Sequence, residues 1–218
     1  MRSIVIVGTG GMGRDLHALL RDLVAVTPAL EVLGFLDDDA DRHGELVHGL
    51  PVLGGTSWAA GNPSVEVAIG IGSPAGKRRV VQRLRADGCL FPSLVHPTAV
   101  VGGDVELGEG TIVSAGCVLT TDIRVGAFVT INTHCSLAHD DVVASFASLA
   151  PGVHLAGNVH VGEGADIGTG AVTVQGVQIG EWSIVGAGAV VVRDLPANVT
   201  AVGSPARVVK HRAAGWHA

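Results

Sequence analysis

His139 followed directly by Asp140 is the pair in this chain best suited to proton chemistry. A neutral imidazole takes a proton from an attacking amine or hydroxyl, and a carboxylate beside it fixes the tautomer and stabilises the imidazolium. A well-placed base is worth about 10²–10⁴-fold in rate. A lone histidine in a surface turn would carry no such reading. Here Asn132, His134, His139 and Asp140 cluster in an otherwise bland repeat. A second stretch, Gly8-Thr9-Gly10-Gly11-Met12-Gly13, follows the apolar run Ile4 to Val7 and precedes an amphipathic helix over Arg14 to Leu23. A glycine turn between strand and helix presents backbone N–H groups that hold an anion, and its spacing fits a dinucleotide fingerprint. A third, Asp37-Asp38-Asp39, ends a second strand over Leu30 to Leu36, where an acid can accept from ribose hydroxyls or a base edge.

The element that must position His139 is a repeat. Counting from Val95, 102 residues divide into 17 hexads, and the first position is Val, Leu or Ile in 16 of them; Thr173 is the exception. The second position is often Gly, and the fifth is small or β-branched. A fixed short period means a solenoid, in which each coil buries its aliphatic face only by stacking on the next. If three hexads make one coil, Gly157 lies directly over His139, 18 residues on. Its N–H, with no side chain in the way, is placed to meet an oxyanion. Cys117 and Cys135 are also 18 apart and read as small apolar plugs in the column. Asp141 occupies a fifth position, which points inward. A buried carboxylate is costly unless paired. It bonds a turn backbone, Asn132 or His139, or else the turn is distorted.

Before the repeat, Pro51 to Gly55 and Val65 to Gly70 read as further strands, and Ser73 to Asp87 as a helix. The charges of that helix (Lys77, Arg78, Arg79, Arg83, Arg85) read as a solvated face. Leu90 to Val95 reads as a last strand, which puts a domain boundary near residue 93. After Pro196 the rhythm fades into a basic tail, placed to cover the open end of the stack. The net charge is −6, with no basic stripe for nucleic acid, and the three cysteines show no metal-type spacing. The apolar run Ile4 to Val7 is too short for a signal peptide or a membrane span, so a cytoplasmic location and no membrane partner are expected.

The chain resembles the sugar O/N-acyltransferases of the sialic acid O-acetyltransferase family, relatives of the nucleotide-amino-sugar N-acetyltransferases. The resemblance spans nearly the whole chain. It rests on Gly8-Thr-Gly-Gly-Met-Gly-Arg14, Gly34-Phe-Leu-Asp-Asp-Asp39, Ala68-Ile-Gly70, Val95-His96-Pro97, Asn132-Thr133, His139-Asp140, Ala156-Gly157-Asn158-Val159 and Gly203-Ser-Pro-Ala-Arg207. It implies an α/β Rossmann-like acceptor-binding domain over residues 1–93 and a left-handed parallel β-helix over 94–218. It further implies a homotrimer that uses acetyl-CoA, with no metal, to acetylate an amine or hydroxyl of a sugar or nucleotide sugar. By resemblance His139 is the base, Asp140 the acid that raises its basicity, and Gly157 the donor to the thioester carbonyl oxygen. Ser148, Thr169 and Ala187 match acetyl-CoA contacts. Gly10, Gly11, Met12, Asp37, Asp38 and Gly70 match positions that hold the nucleotide. Three residues depart from the family pattern: Met12 and Ser148 stand where His is usual or frequent, and Asp141 where Cys is common.

Three other readings compete. The glycine turn fits a nicotinamide-dependent oxidoreductase. His134 and His139, five residues apart, fit a zinc hydratase like the γ-class carbonic anhydrases. Zinc needs three protein ligands, yet Thr98, Gly103, Gly116 and Thr121 stand where a third histidine one or two coils earlier would be. The last is a non-catalytic sugar- or nucleotide-binding scaffold.

Overall fold

A computed structural model describes residues 1–217 of the chain. It divides into two compact units, residues 1–72 with 76–92, and residues 73–75 with 93 onward. The first is built on a five-stranded sheet. Its elements are β1 (Arg2–Val7), α1 (Gly11–Val26), β2 (Leu30–Leu36), β3 (Leu46–Val47), β4 (Leu50–Gly54), α2 (Ser57–Ala60), β5 (Glu66–Ile69) and α3 (Pro74–Ala86). The strand order is β3-β4-β2-β1-β5, parallel except for the β3–β4 hairpin at the edge. Ile4, Val5 and Ile6 are fully buried, as a strand covered on both faces requires. Leu16, Leu19 and Leu20 form the buried stripe of α1.

The second unit is a parallel-strand β-helix. Short strands stack every 18 residues into three sheets, which we call faces; only the last step of the first face, 184 to 200, is two residues shorter. The first face runs through residues 94, 112, 130, 148, 166, 184 and 200. The second runs through 100, 118, 136, 154, 172 and 190. The third runs through 106, 124, 142, 160 and 178. The hexads' first and fifth positions fill the interior: Val113, Leu119, Ile131, Leu137, Ala147, Leu149, Val153 and Ala165 are all within 1% of full burial. Cys117 and Cys135 lie in this column as free thiols. The stack ends in an antiparallel pair, Val199–Val202 with Arg207–His211.

From Gly110 to Gly188 each corner between faces holds a residue in the left-handed region. Gly116, His134, Gly152, Gly170 and Gly188 turn the first corner, Asp122, Asp140, Asn158 and Gly176 the second, and Gly110, Phe128, Phe146, Gly164 and Trp182 the third. Their φ values run from +53° to +75°. Gly, Asn and Asp carry this conformation cheaply, and the aromatic residues are held in it by stacking. The Phe128 and Phe146 rings lie 5.4 Å apart and nearly parallel.

Three expectations need correction. The strand expected from Leu90 to Val95 is only Leu94–Val95, with Leu90 in an isolated bridge to Glu66. Pro92 lacks the N–H that a continuous ladder needs. The hairpin β3–β4 begins at Leu46, before the expected strand. The basic face of α3 is not simply solvated: Lys77 is 1% exposed, and Arg83 donates to Asp38 Oδ2 (2.6 Å) and Thr56 Oγ1 (2.8 Å). Among the described residues no helix is long and apolar enough to cross a membrane.

The third corner yields a direct test. A Cβ on Gly164 would come within 2.3 Å of the Trp182 ring, at a backbone φ of +62°. Gly164→Ala therefore combines overpacking with left-handed strain, and should lower stability by about 2–4 kcal/mol in urea unfolding. A loss below about 0.5 kcal/mol, the size of an ordinary surface substitution, would show that the corner can relax.

Candidate active site

His139 and Asp140 occupy the second corner of one coil, and Gly157 and Asn158 the same corner of the next. Asp140 takes the left-handed conformation at φ +63°, which turns its carboxylate back along the chain. His139 Nδ1 lies 2.8 Å from Asp140 Oδ2. The carboxylate only accepts, so Nδ1 carries the proton and Nε2 holds the free lone pair. The imidazole stands against Gly157: a Cβ there would be 2.5 Å from both Cε1 and Nε2 of His139. The stacking expected from the 18-residue period is therefore the stacking observed, and glycine is required at 157 for space. Asn158 N–H donates to His139 O (2.8 Å) and ties the two turns together.

A cavity of about 620 Å³ opens beside the dyad, lined by Asp104, Glu106, Asp122, Arg124, Asp140, Asn158 and His160. Around it the other histidines go separate ways. His134 turns the first corner, with Gly116 beneath its ring. His154 sits on the second face with Nδ1 2.7 Å from Ser136 Oγ, and His160 lies on the third. Among the described residues no group of three His, Cys, Asp or Glu side chains is arranged to hold a metal ion.

Asp141 is fully buried. Of the partners open to it in sequence, it takes the turn backbone: Oδ2 accepts from Ala138 N–H (2.9 Å) and Oδ1 from Val159 N–H (2.8 Å). Burial pushes its carboxyl up to about 6, against the pull of these amides and of His139.

Thr169 and Ala187 are exposed one coil apart at the first corner, joined by the Gly188 N–H to Thr169 O bond (2.8 Å). Ser148 lies on the first-face strand that leads into this corner one coil earlier, 8% exposed. These three positions and the dyad therefore flank the second face from opposite sides.

In the first unit the glycines divide by role. Gly8, Gly13 and Gly70 pack backbone on backbone; a Cβ on Gly13 would fall 1.9 Å from Gly8 O, and one on Gly70 2.6 Å from Gly13 Cα. Gly10 and Gly11 face open space at the start of α1, which has no side-chain cap. Met12 follows, half-buried. The carboxylates of Asp37 and Asp38 are already engaged. Asp37 accepts from Thr9 N–H (3.1 Å), the Thr9 hydroxyl and Asp39 N–H (3.1 Å). Asp38 Oδ1 accepts from the N–H and hydroxyl of Thr56, both at 2.8 Å. Burial acts to raise both carboxyls, but these bonds, with Arg42 and Arg83, outweigh it and hold both below the usual range. Their first task is to fix the loop beside the glycine turn. Thr9, Thr56 and Arg83 were not singled out for this in sequence, since nothing local marks a partner 18 to 45 residues away.

Comparison with known proteins follows the same lines. Residues 3–84 match the PglD N-terminal domain. A variant of perosamine N-acetyltransferase from Caulobacter crescentus, solved with CoA and GDP-perosamine, is 34% identical with a TM-score of 0.88, covering 96% of this chain and 98% of that one. The chain belongs to the nucleotide-amino-sugar acetyltransferases of the hexapeptide family. The acetyltransferase domain of PglB from Neisseria gonorrhoeae, solved with acetyl coenzyme A, is 29% identical with a TM-score of 0.86, covering 95% of this chain and 99% of that one. UDP-N-acetylbacillosamine N-acetyltransferase of Bacillus subtilis is 34% identical over 126 residues, 53% of this chain and 52% of that relative, so that match spans about half of each.

The environment of Asp141 predicts a pH effect on stability. Its carboxyl titrates near 6 in the folded chain and near 3.8 when unfolded. Between these values the folded state binds the extra proton, so this group's contribution falls as pH rises from about 4 to 6 and is flat above. Wild type should lose stability relative to Asp141→Asn across that window in thermal melts. A difference independent of pH would show that Asp141 titrates normally.

Proposed function

We propose that the chain transfers the acetyl group of acetyl-CoA to the amino group of a nucleotide-linked amino sugar. The observation that carries this reading is the His139 imidazole, oriented by Asp140 at 2.8 Å and standing against Gly157. The acceptor nitrogen attacks the thioester carbonyl carbon, and its proton passes to His139 Nε2. Asp140 stabilises the imidazolium, and Gly157 N–H donates to the oxyanion. Collapse breaks the carbon–sulfur bond, and the departing thiolate takes the proton back from His139. No covalent enzyme intermediate forms.

In this reading residues 94–218 are the acyltransferase domain, a left-handed β-helix. Ser148, Thr169 and Ala187 contact acetyl-CoA along its outside, between two subunits of a homotrimer. Residues 1–93 are a Rossmann-like domain that holds the nucleotide with Gly10, Gly11, Met12, Asp37, Asp38 and Gly70. The open space at Gly10 and Gly11 supports this, as do relatives solved with CoA and GDP-perosamine. With acetyl-CoA as donor and a nucleotide sugar as acceptor, the enzyme works in the cytoplasm.

Two measurements test the reading. Acetyl-CoA at 100 times its Kd should stabilise the protein by about 2.7 kcal/mol, as should the matching member of a panel of UDP-, dTDP- and GDP-linked amino sugars. A shift with NAD and none with acetyl-CoA would overturn the assignment. His139→Ala should lose about 10²–10⁴-fold in kcat with the fold intact. Gly157→Ala, whose Cβ would displace the imidazole, should lose kcat while melting close to wild type. Near-full activity in His139→Ala would remove that residue from the mechanism.

A further inference from the structure

The inter-coil ladder is regular at the amide that follows each strand, except at the active site. On the second face Gly102 N–H donates to Leu119 O (2.9 Å), Thr120 N–H to Leu137 O (3.2 Å) and Val174 N–H to Val191 O (3.0 Å). The equivalent amides of the two intervening coils donate to side chains. Ala138 N–H goes to Asp141 Oδ2 (2.9 Å), and Ala156 N–H goes to Thr173 Oγ1 (3.0 Å). The other two faces keep the backbone pattern throughout, from Gly108 N–H to Val125 O through Gly180 N–H to Leu195 O, and from Ser114 N–H to Ile131 O through Gly186 N–H to Ala201 O. Strand pairing reflects the second of these diversions. Neighbouring strands of the second face pair two residues each, Ser136–His154 and Leu137–Leu155 included, but at the next step only His154 and Val172 pair, and the Leu155–Thr173 pair is dropped.

Both side chains are departures from the hexad rule. Thr173 holds the single first position that is not Val, Leu or Ile. Asp141 is a carboxylate in an inward column whose members one coil away, Ile123 and Val159, are also fully buried. The two amides they capture directly precede His139 and Gly157. Asp141 also reaches across to Val159 N–H (2.8 Å), so one carboxylate grips the turn of the base and the turn of the coil that faces it.

We propose that Asp141 and Thr173 are positioning residues: they replace two ladder bonds with side-chain bonds, and so set where the His139 ring stands relative to the Gly157 N–H. The proposal rests on the acyl-transfer reading for its effect on rate, but its geometric part does not. Neither residue touches the reacting atoms. An aliphatic residue at 173 would let Ala156 N–H return to the carbonyl of residue 173, the arrangement seen at Gly102, Thr120 and Val174. The stack would survive, and the site would shift.

The test uses the full chain with Thr173→Val, which keeps the β-branched shape and removes the acceptor. Thr173→Ser keeps the acceptor and removes the methyl, and Asp141→Asn leaves one acceptor oxygen where two are used. Thr173→Val should melt close to wild type and keep its KM for acetyl-CoA within about twofold, while kcat falls about 10- to 100-fold, the scale of a displacement near 1 Å. Thr173→Ser should restore kcat, and Asp141→Asn should lose it in the same way as Thr173→Val. Wild-type kcat in Thr173→Val would overturn the proposal. So would a Thr173→Ser variant as slow as Thr173→Val, which would mean packing. The His139 ring resonances in NMR, read without substrate, should move in Thr173→Val and stay in Thr173→Ser. Unmoved resonances in Thr173→Val overturn the positioning role whether or not the acyl-transfer reading stands.

Discussion

The backbone ladder that joins each coil to the coil 18 residues on is the interaction on which the second unit depends. No two-residue strand is stable alone; each is held by bonds to the coils on both sides. The ladder fixes the interior, because it brings every first and fifth hexad position into one column. It also fixes the corners, because the chain must turn from one face to the next inside about four residues to keep register, and from Gly110 to Gly188 it does so with a left-handed residue each time. The His139–Asp140 pair uses this geometry. Asp140 is a corner residue first, and its conformation is what brings its carboxylate to the ring of the residue before it.

The exposure of the dyad follows from the same constraint. A solenoid has no interior large enough for a substrate, so reacting groups stand on its outside. His139 and Asp140 are both more than half exposed in the single chain. A charge pair in that setting is weak for stability, and its value is orientation. What remains inside is Asp141, a carboxylate that a purely structural column would exclude. Its cost is set by burial and reduced by two amides, which is the usual way a buried polar group is made tolerable.

Much of this was legible in the sequence because the repeat is arithmetic. The hexads gave the stack, the period gave Gly157 over His139, and the adjacency of His139 and Asp140 gave the hydrogen bond without knowledge of the fold. The first unit was less legible. Its strands and helices could be read from periodicity, but the bonds of Asp37 to Thr9 and of Asp38 to Thr56 and Arg83 join segments that no local pattern connects. Pro92 cut short a strand that hydrophobicity alone extended back to Leu90. Lys77 and Arg83 read as solvated because a charge pattern says nothing of what lies beside it. Asp141 and Thr173 were visible as exceptions to the rule. Their meaning was not, since it depends on which backbone amide each side chain meets.

The 18-residue register has a consequence for how such chains change over generations. Inserting or deleting one residue within a coil would throw every later side chain out of its column, whereas gaining or losing a whole coil leaves the pattern on both sides intact. The stack can therefore lengthen or shorten only in steps of one coil, each adding about 4.8 Å, the spacing between paired strands. The outer surface can be lengthened or shortened at the C-terminal end in this way while the coils carrying residues 139 and 157 are inherited unaltered.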